Sequence, residues 1–319
     1  MVDELNYRWG HDKRYNSYTQ YFKKLFNSRV QKISVDAGFS CPNRDSNRTS
    51  GGCTYCNNNA FNPSYCNPSK PIDQQILEGI EFHKVRYRRA KSYLVYFQPY
   101  SNTFASLNHL RSLYENALRQ PGVVGLVIGT RPDCIDDEKL EYLHQLSRDH
   151  YIIIEYGVES IYNNTLTRIN RGHTYEQSVD AIIKTSDYGI NTGAHFIFGL
   201  PGESREMMMD SVVEISKLPL TTIKFHQLQI VKDTEMEIDF NSNPNNYSLF
   251  SFADYIDFIV RFTEKLNPDF IIERFAGEVP PKFLAGPGWG LIRNDQINIA
   301  IEEEFKKRDS WQGKYFTSL

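Results

Sequence analysis

Short apolar runs alternate with longer segments of helical period along most of the chain. The runs are rich in β-branched and aromatic residues and lie at residues 32–36, 92–97, 123–128, 151–156, 194–198 and 222–229. After each run, apolar residues recur every three or four positions, as in an amphipathic helix. Repeated strand–helix units of this kind predict a parallel sheet with helices outside it, either a barrel or a partial barrel.

Some of the helical segments carry recognisable start signals. Pro71 lies near the first turn of one segment, and Thr174 with Gln177 forms a capping-box pattern at the start of another. Further helices are predicted over residues 136–149 and 250–266. The Gly- and Pro-rich passage after residue 270 indicates an ordered loop rather than a linker.

Polar and glycine-rich loops follow the predicted strands. They are the cysteine-containing loop after the first strand, then QPYSNT at 98–103, GTRPD at 129–133, GVES at 157–160 and GLPGE at 199–203. In sheets of parallel strands, functional residues gather at the carboxyl edge. These loops are therefore expected to form one site.

Three cysteines in the first of these loops suggest metal chemistry. Cys41, Cys53 and Cys56 are separated by eleven and then two residues. A structural zinc site takes four protein ligands, so three thiolates are one short of a closed site. A [4Fe–4S] cluster held by three thiolates keeps one iron free for another ligand. The pattern is therefore typical of a metal site left open for chemistry.

Composition sets the frame for this site. The chain has 319 residues, of which 40% are hydrophobic, and a net charge of −3. Its five cysteines are an odd number, which favours metal or redox use over a disulfide framework. No apolar signal region opens the chain, and no stretch approaches the roughly 18 apolar residues of a membrane span. We expect a soluble, cytoplasmic protein with no membrane association.

Two local regions are basic despite the acidic balance. Residues 7–32 interleave lysines and arginines with tyrosines, and residues 83–91 read HKVRYRRAK. Basic residues mixed with aromatic ones suit the backbone and bases of a nucleic acid. Solvated helix faces whose tyrosines pack inward would give the same pattern, and the sequence leaves both interpretations open.

The motifs in strand order resemble the radical S-adenosylmethionine (SAM) enzymes. The resemblance rests on the three cysteines, Tyr55 just before the last of them, GTRPD, GVES, INRGH at 169–173 and FGLPGE at 198–203. Within that superfamily the motifs resemble the branch that holds the Elongator catalytic subunit and the oxygen-independent coproporphyrinogen oxidases. The match covers roughly residues 30–230. The first cysteine gap is eleven residues instead of the familiar three, a departure seen in this branch.

The resemblance implies a fold, two cofactors and a reductant. The fold would be a partial (β/α)6 TIM-like barrel over residues 31–230, after a basic and aromatic extension at 1–30 and before a substrate-side extension at 231–319. Cys41, Cys53 and Cys56 would bind a [4Fe–4S] cluster whose fourth iron is chelated by SAM. Reductive cleavage of SAM would then give a 5′-deoxyadenosyl radical. Flavodoxin or ferredoxin would supply the electron.

The same resemblance assigns residues around the cofactor. Tyr55 would pack near the adenine, whose ring edge would meet the main chain at Ile197 and Phe198. Arg171 would meet the cofactor carboxylate, since an arginine fork suits that group. Glu159 would bind the ribose or the methionine end. The remaining cofactor-binding candidates are Gln98, Ser101, Asn102, Gly129 and His195, the last standing where the family has a ribose-contacting carboxylate.

Residues outside these motifs have structural interpretations first. Cys66 and Cys134 are expected to be small, partly buried side chains. Arg274, Glu278, Trp289 and Arg293 are candidates for substrate contact, although the loop that holds them would also serve to close the open side of a partial barrel, with Trp289 in the core.

Three functions fit the sequence. The first is modification of a tRNA base, the wobble uridine side chain, motivated by the Elongator-like motifs and the basic segments. The second is radical chemistry on a small carboxylate or porphyrin-like molecule, motivated by the shared motifs and the acidic net charge. The third is a non-catalytic metal-binding adaptor, which would carry zinc without iron or sulfide.

Overall fold

A seven-stranded parallel sheet forms the centre of the described chain, with strand order β1 to β7. The computed structural model describes residues 7–45, 51–60, 62–84 and 90–317. The strands are β1 (Arg29–Val35), β2 (Ala90–Phe97), β3 (Val123–Thr130), β4 (Tyr151–Glu159), β5 (Asn191–Phe198), β6 (Thr222–Gln227) and β7 (Ile271–Arg274). The predicted parallel sheet is confirmed, and each of the six predicted strands is present.

The seventh strand comes from the segment that sequence reasoning treated as an extension. β7 pairs with β6 in parallel, with Thr222 opposite Ile271. The expected boundary at residue 230 therefore falls between two strands of one sheet.

Helices connect the strands. They are α1 (Tyr18–Leu25), α2 (Pro42–Asp45), α3 (Ile72–Lys84), α4 (Leu107–Leu118), α5 (Asp137–Ser147), α6 (Asn163–Arg168), α7 (Tyr175–Asp187), α8 (Arg205–Ser216), α9 (Glu235–Ser242), α10 (Phe252–Lys265) and α11 (Asn294–Lys307). None of the described helices is long and apolar enough to cross a membrane.

The helix start signals read from the sequence are realised. At the start of α7, the Thr174 hydroxyl accepts from the Gln177 amide and the Gln177 side chain accepts from the Thr174 amide. Asp136 caps α5 in the same manner, accepting from the Lys139 amide at 3.0 Å. Such caps satisfy amide groups that the first turn of a helix leaves without partners.

The main core lies between the outer face of the sheet and the helices. Phe198 of β5 and Phe225 of β6 pack there against Phe258 and Phe262 of α10, with ring centroids 4.9 to 5.5 Å apart. Burying one such side chain contributes about 1.5–3 kcal/mol. This packing fixes the helices against one face and leaves the other face of the sheet for the site.

The sheet curls into a half-barrel. Lys32 Nζ of β1 lies 2.8 Å from Glu155 of β4 and 2.6 Å from Glu273 of β7. Strands that are far apart in the sheet can share one cation only if the inner face bends around a common interior. Beside β7, Ser17 forms a parallel bridge with Ile272 and extends the curl toward the N-terminal segment.

Candidate functional site

A cavity of about 290 Å³ opens at the carboxyl edge of the half-barrel. Loops that follow β1 and β2 form its walls together with the last residues of β3 to β7. Most of the predicted site residues line it: Cys41, Cys53, Tyr55, Cys56, Gln98, Ser101, Gly129, Glu159, Arg171, His195 and Ile197. The structure thus brings together residues that are spread over more than 150 positions of the sequence.

Two predicted residues lie outside the cavity lining. Phe198 belongs to the outer core, because side chains alternate along a strand and its neighbour Ile197 faces the cavity. Its carbonyl accepts from the Leu228 amide at 2.7 Å. Asn102 is fully buried, and its amide donates to the carbonyls of Phe97, Pro99 and Gly129. Asn102 therefore ties the ends of β2 and β3 together.

The cysteine loop is anchored to the INRGH segment. The Thr54 amide donates to the Ile169 carbonyl at 3.0 Å, and the Asn170 side chain donates to the Gly52 carbonyl at 2.7 Å. A turn closes between Cys53 and Cys56, whose amide donates to the Cys53 carbonyl at 3.0 Å. These bonds hold the second and third cysteines at the cavity wall.

Nitrogen donors approach the cysteine sulfurs. Asn43 Nδ2 lies 3.4 Å and Arg171 Nη1 lies 3.6 Å from Cys53 Sγ. Arg131 Nη1 lies 4.0 Å from Cys41 Sγ. Donors at these positions could hydrogen-bond to sulfurs that bind a metal centre and so orient them.

The donor set fits an iron–sulfur cluster. All three cysteines are free thiols, and burial followed by the proximity of Cys53 raises the pKa of Cys56 to about 11. A metal centre would displace that proton on binding. In the described part of the chain, no three His, Cys, Asp or Glu side chains are grouped closely enough to hold a single metal ion. In a cluster each thiolate binds a different iron, so the sulfurs need not converge on one point.

Arg171 is buried at the cavity wall and fixed by the backbone of β4. Its Nε and Nη2 donate to the Gly157 carbonyl at 3.2 and 2.6 Å, and Nη2 lies 3.6 Å from the Glu159 carboxylate. A side chain at position 157 has no room, because a Cβ there would lie 2.4 Å from Arg171 Nη2. The glycine of GVES therefore positions the arginine of INRGH.

Arg131 is a site residue that sequence reasoning did not assign. Its guanidinium forms a two-pronged pair with Asp133, at 2.8 and 2.7 Å, and donates to the Arg171 carbonyl at 2.8 Å. The spacing of arginine and aspartate within GTRPD was the available signal. Arg131 links the loop after β3 to the segment that anchors the cysteines.

A buried charge network forms the floor of the cavity, and sequence reasoning missed it as well. Lys224 Nζ lies 2.5 Å from Glu155 and 2.9 Å from Glu273. Burial alone would raise the pKa of Glu155, but Lys224 and then Lys32 more than offset it and hold that pKa well below its usual range. The Tyr96 ring lies beneath both ammonium groups, at 4.6 and 4.7 Å. The signal in the sequence was the presence of charged residues inside the strands β1, β4, β6 and β7.

His195 contacts this network. Its Nε2 lies 3.2 Å from Glu155, and burial followed by the charge of Lys224 lowers the pKa of His195. A neutral ring beside a carboxylate carries its proton on Nε2 and leaves Nδ1 as an acceptor. The predicted ribose contact of His195 stays a prediction.

The loop after β2 contributes two polar side chains to the cavity lining. Ser101 is fully buried, and its hydroxyl contacts the Cys134 thiol. Gln98 lines the cavity while accepting from the Ser34 hydroxyl at 3.3 Å.

The other cysteines have structural environments. Cys66 donates to the Ser34 carbonyl at 3.1 Å, and burial with the nearby charge of Asp36 raises its pKa to about 12. Cys134 is buried next to Asp133, and burial raises its pKa to about 12. Neither lies among the residues lining the cavity.

The C-terminal candidates divide between cavity and core. Arg274 lines the cavity, whereas Trp289 donates to the Phe250 carbonyl at 2.9 Å and packs at a tilted angle against Tyr255. Trp289 thus follows the structural interpretation. Glu278 and Arg293 are exposed and outside the cavity lining.

The basic segments are largely committed to other contacts. Within residues 7–32, Lys13 pairs with Glu302 at 3.0 Å and Arg8 pairs with Asp269 at 2.7 Å. Lys32 points into the barrel, and Phe22 is buried. Most of the segment 83–91 lies outside the described residues. The described part favours inward-packing aromatics on a solvated face.

Comparisons with known proteins agree with this geometry. The family model described as Radical SAM superfamily matches residues 44–215, and a Radical_SAM C-terminal domain model matches residues 220–307. The chain is 32% identical to the uncharacterized protein YtqA of Bacillus subtilis, over 97% of this chain and 94% of that protein.

More distant similarities include proteins of named function. A tRNA uridine(34) acetyltransferase of Methanocaldococcus jannaschii is 28% identical over 41% of this chain and 24% of its own length. The solved structure of archaeal Methanocaldococcus infernus Elp3 superimposes with a TM-score of 0.67 at 16% identity, covering 89% of this chain and 64% of that one. The likeness to that structure concerns the fold.

Proposed function

The chain belongs to the radical SAM superfamily of enzymes, and from this premise we propose that it cleaves SAM reductively at a [4Fe–4S] cluster bound by Cys41, Cys53 and Cys56. The observation that carries the proposal is the convergence of these three free thiols on one cavity, with nitrogen donors directed at two of their sulfurs. Cluster binding and SAM binding are both family properties that these residues fit.

When bound, the cluster and SAM supply one-electron cleavage of the C5′–sulfonium bond, giving methionine and a 5′-deoxyadenosyl radical that takes a hydrogen atom from the substrate. The protein's task is to hold and orient these groups. Asn43 and Arg171 donate to Cys53, while Arg131 carries its charge toward Cys41. Hydrogen bonds to ligating sulfurs and nearby positive charge set the reduction potential of such a cluster.

The cavity wall offers groups for each part of SAM. We assign the adenine to Tyr55 and Ile197, the ribose to His195 or Glu159, and the methionyl carboxylate to Arg171. Ser101, Gln98 and the backbone at Gly129 lie along the same wall. Each assignment follows from the family resemblance together with the placement of the residue at the cavity.

A cysteine pair tests the cluster assignment. Cys53→Ala removes a proposed ligand, and Cys66→Ala removes a thiol outside the cavity. After anaerobic reconstitution, Cys66→Ala is expected to bind as much iron and sulfide as the wild type, and both proteins are expected to form 5′-deoxyadenosine with dithionite. Cys53→Ala is expected to lose most of its iron and sulfide and most of its 5′-deoxyadenosine formation.

Retention of 5′-deoxyadenosine formation by Cys53→Ala would contradict the ligand assignment. Zinc in place of iron and sulfide in anaerobically purified protein would support the adaptor hypothesis instead. We also propose that flavodoxin or ferredoxin delivers the electron and that the protein is cytoplasmic, as these electron donors are. Replacing dithionite with reduced flavodoxin or ferredoxin in the same assay tests the electron donor.

For the substrate we propose a tRNA nucleoside, with wobble uridine as the first candidate. The support is the similarity to a tRNA uridine(34) acetyltransferase, which spans 41% of this chain, and the Elongator-like motifs. Mass spectrometry of tRNA nucleosides from cells with and without the gene tests this directly. An unchanged nucleoside profile, with no salt-dependent tRNA binding by the protein, would refute it.

A second candidate is a small anionic molecule. The cavity has a volume of about 290 Å³ and holds unpaired positive charge, because Arg44 and Arg274 have no carboxylate partner among the described residues. A carboxylate or porphyrin-like substrate would meet that charge. The nucleoside comparison separates the two candidates, since a small-molecule enzyme leaves tRNA unchanged.

A further inference from the structure

The positive side chains that line the cavity differ in their partners. Lys224 is paired with two glutamates, and Arg131 is paired with Asp133. Arg171 lies 3.6 Å from Glu159 and beside Cys53, and Arg44 donates to the Cys56 carbonyl at 2.9 Å. Three of the five cations are therefore paired with carboxylates, and Arg44 is bound to a carbonyl of the cysteine loop.

Arg274 is the exception. It is the last residue of β7 and lines the cavity. Within the described ranges no carboxylate forms an ion pair with it, and its buried Nε has no hydrogen-bond partner. Leaving a buried guanidinium N–H unsatisfied costs more than an ordinary lost hydrogen bond. The arrangement indicates a ligand that brings its own negative charge.

His226 holds Arg274 in place without neutralising it. Arg274 Nη2 donates to His226 Nε2 at 2.5 Å, and since a guanidinium only donates, Nε2 carries no proton. Burial, and then the charge of Arg274, lowers the pKa of His226 well below its usual range. The histidine is therefore an uncharged acceptor, and the full positive charge of Arg274 remains available.

The backbone beyond β7 keeps this pair rigid. Gln227 and Gly277 exchange two hydrogen bonds of 2.9 Å, which fasten the segment after β7 to the end of β6. A Cβ at Gly277 would lie 2.5 Å from His226 Nδ1, so only glycine leaves space for the ring. Pre-positioned donors bind an anion with little further loss of conformational freedom.

We propose that Arg274 binds an oxyanion of the substrate, a carboxylate or a phosphate, on the wall formed by the ends of β6 and β7. The guanidinium N–H groups that His226 does not engage belong to a planar fork that suits such groups. This inference rests on the proposed radical SAM function, because it identifies the substrate side of the same cavity. It assigns to the substrate a negatively charged group placed beside the network of Glu155, Lys224 and Glu273.

The test measures anion binding and cofactor binding separately. Inorganic phosphate and acetate are titrated into reconstituted protein at constant ionic strength, using isothermal calorimetry, and SAM is titrated in a parallel series. The variants are Arg274→Gln and Arg274→Lys. The control is Arg261→Gln, because Arg261 is an exposed arginine of α10 that pairs with Asp257. Circular dichroism checks that each variant is folded, and Arg274→Lys keeps the charge if Arg274→Gln fails to fold.

Wild type and Arg261→Gln are expected to bind at least one anion saturably, and Arg274→Gln to bind it at least tenfold more weakly, with Arg274→Lys between them. Affinity for SAM is expected to stay within twofold in every variant. Whichever of phosphate or acetate binds more tightly identifies the substrate group.

Three outcomes overturn the inference. They are no saturable binding of either anion to wild type, equal binding by Arg274→Gln, and a loss of SAM affinity in Arg274→Gln as large as the loss of anion affinity. The last would assign Arg274 to the cofactor carboxylate. The proposed function fails on a different result, which is that the wild type forms no 5′-deoxyadenosine. Anion binding is measured in a separate experiment that does not depend on that result.

Discussion

Gly157 shows how a single backbone position controls a site residue. The Gly157 carbonyl accepts two hydrogen bonds from Arg171, and its hydrogen in place of a Cβ leaves room for the guanidinium. The guanidinium in turn reaches Cys53. One glycine therefore sets the position of an arginine beside both proposed cofactors.

We expect Gly157→Ala to weaken SAM binding by roughly tenfold or more, because displacing Arg171 loses charge-assisted hydrogen bonds. Iron content is expected to remain near that of wild type, since the three cysteines are untouched. Equilibrium dialysis of SAM against reconstituted protein measures the change. Gln145→Ala, at an exposed position where the side chain contacts only Glu141, is the control. Equal SAM affinity in Gly157→Ala and wild type would contradict this role for Gly157.

His173 is expected to make the stability of the fold depend on pH. Burial, followed by the charge of Arg171, lowers the pKa of His173 to about 4, and its Nδ1 faces the Thr174 carbonyl and the Ser178 hydroxyl. Arg131 lowers this pKa further, and Asp133 opposes it. The unfolded chain takes up this proton near pH 6.5, whereas the folded chain does not, so the free energy of unfolding falls as pH drops below about 6.5.

Between pH 7 and pH 5, His173 is expected to remove roughly 2 kcal/mol from the free energy of unfolding. In His173→Gln that part of the pH dependence disappears. Urea denaturation of wild type and variant at pH 7 and pH 5 measures the free energy of unfolding. The change in that free energy between the two pH values is then compared between the two proteins. Identical differences in the two proteins would show that His173 titrates normally.

At the residue scale, the sequence predicted which residues lie together when those residues belong to loops after the strands. Cys41, Cys53 and Cys56 were placed in one site because cysteine is rare in this chain and loops after parallel strands meet. It could not separate Ile197 from Phe198, since both are apolar and the strand phase decides which faces the cavity. Asn102 has the composition of a ligand-binding residue, yet its amide satisfies backbone carbonyls.

At the scale of elements, the strands carry charged residues that the apolar pattern concealed. Lys32, Glu155, Lys224 and Glu273 come from four different strands and meet inside the half-barrel. Each is a charged residue within a strand, and only the curl of the sheet shows that they are partners. Distance along the sequence, up to 241 positions for Lys32 and Glu273, hides such pairs.

Removing the central carboxylate of this network tests its contribution to stability. Glu155→Gln leaves Lys32 and Lys224 with one fewer negative partner in a buried setting. Breaking a buried pair in this manner costs about 3–5 kcal/mol, because a charge remains without compensation. Glu115→Gln, in an exposed pair with Arg119, should cost below about 1 kcal/mol. Urea unfolding measures both, and equal costs would show that the network is not a stabilising unit.

At the scale of the whole molecule, alternation of strands and helices predicted the sheet, but not its full extent. β7 reads IIER, four residues with two charges, which is too short and too polar for the apolar pattern to mark as a strand. Its position is set by long-range contacts: the Ile272 amide donates to the Asn16 carbonyl at 2.8 Å. The N-terminal segment and the C-terminal part thus meet along the same edge of the half-barrel.

Gln312 joins those distant parts and permits a prediction about the entire fold. It is buried, with 1% of its surface exposed, and its side chain accepts from the Asn16 amide at 2.9 Å while donating to the carbonyls of Asn267 and Phe270, each at 2.9 Å. Gln312→Ala removes three hydrogen bonds and leaves the Asn16 amide and the Phe270 carbonyl without these partners, while the Asn267 carbonyl keeps its bond from the Phe270 amide at 3.3 Å. The expected loss is about 2–4 kcal/mol in the free energy of unfolding, since water can satisfy only part of what is removed.

The matched control is Gln145→Ala, which deletes the same atoms from an exposed position where the amide contacts only Glu141 at 3.0 Å. Its cost should be below about 0.5 kcal/mol. Urea unfolding gives both values, and SAM affinity measured on the same preparations is expected to match wild type because Gln312 lies outside the cavity lining. If the two substitutions lower the free energy of unfolding by the same amount, the contact between the N-terminal segment and β7 does not depend on Gln312. If Gln312→Ala also weakens SAM binding, closure of this edge is coupled to the cavity, and the half-barrel responds as one cooperative unit.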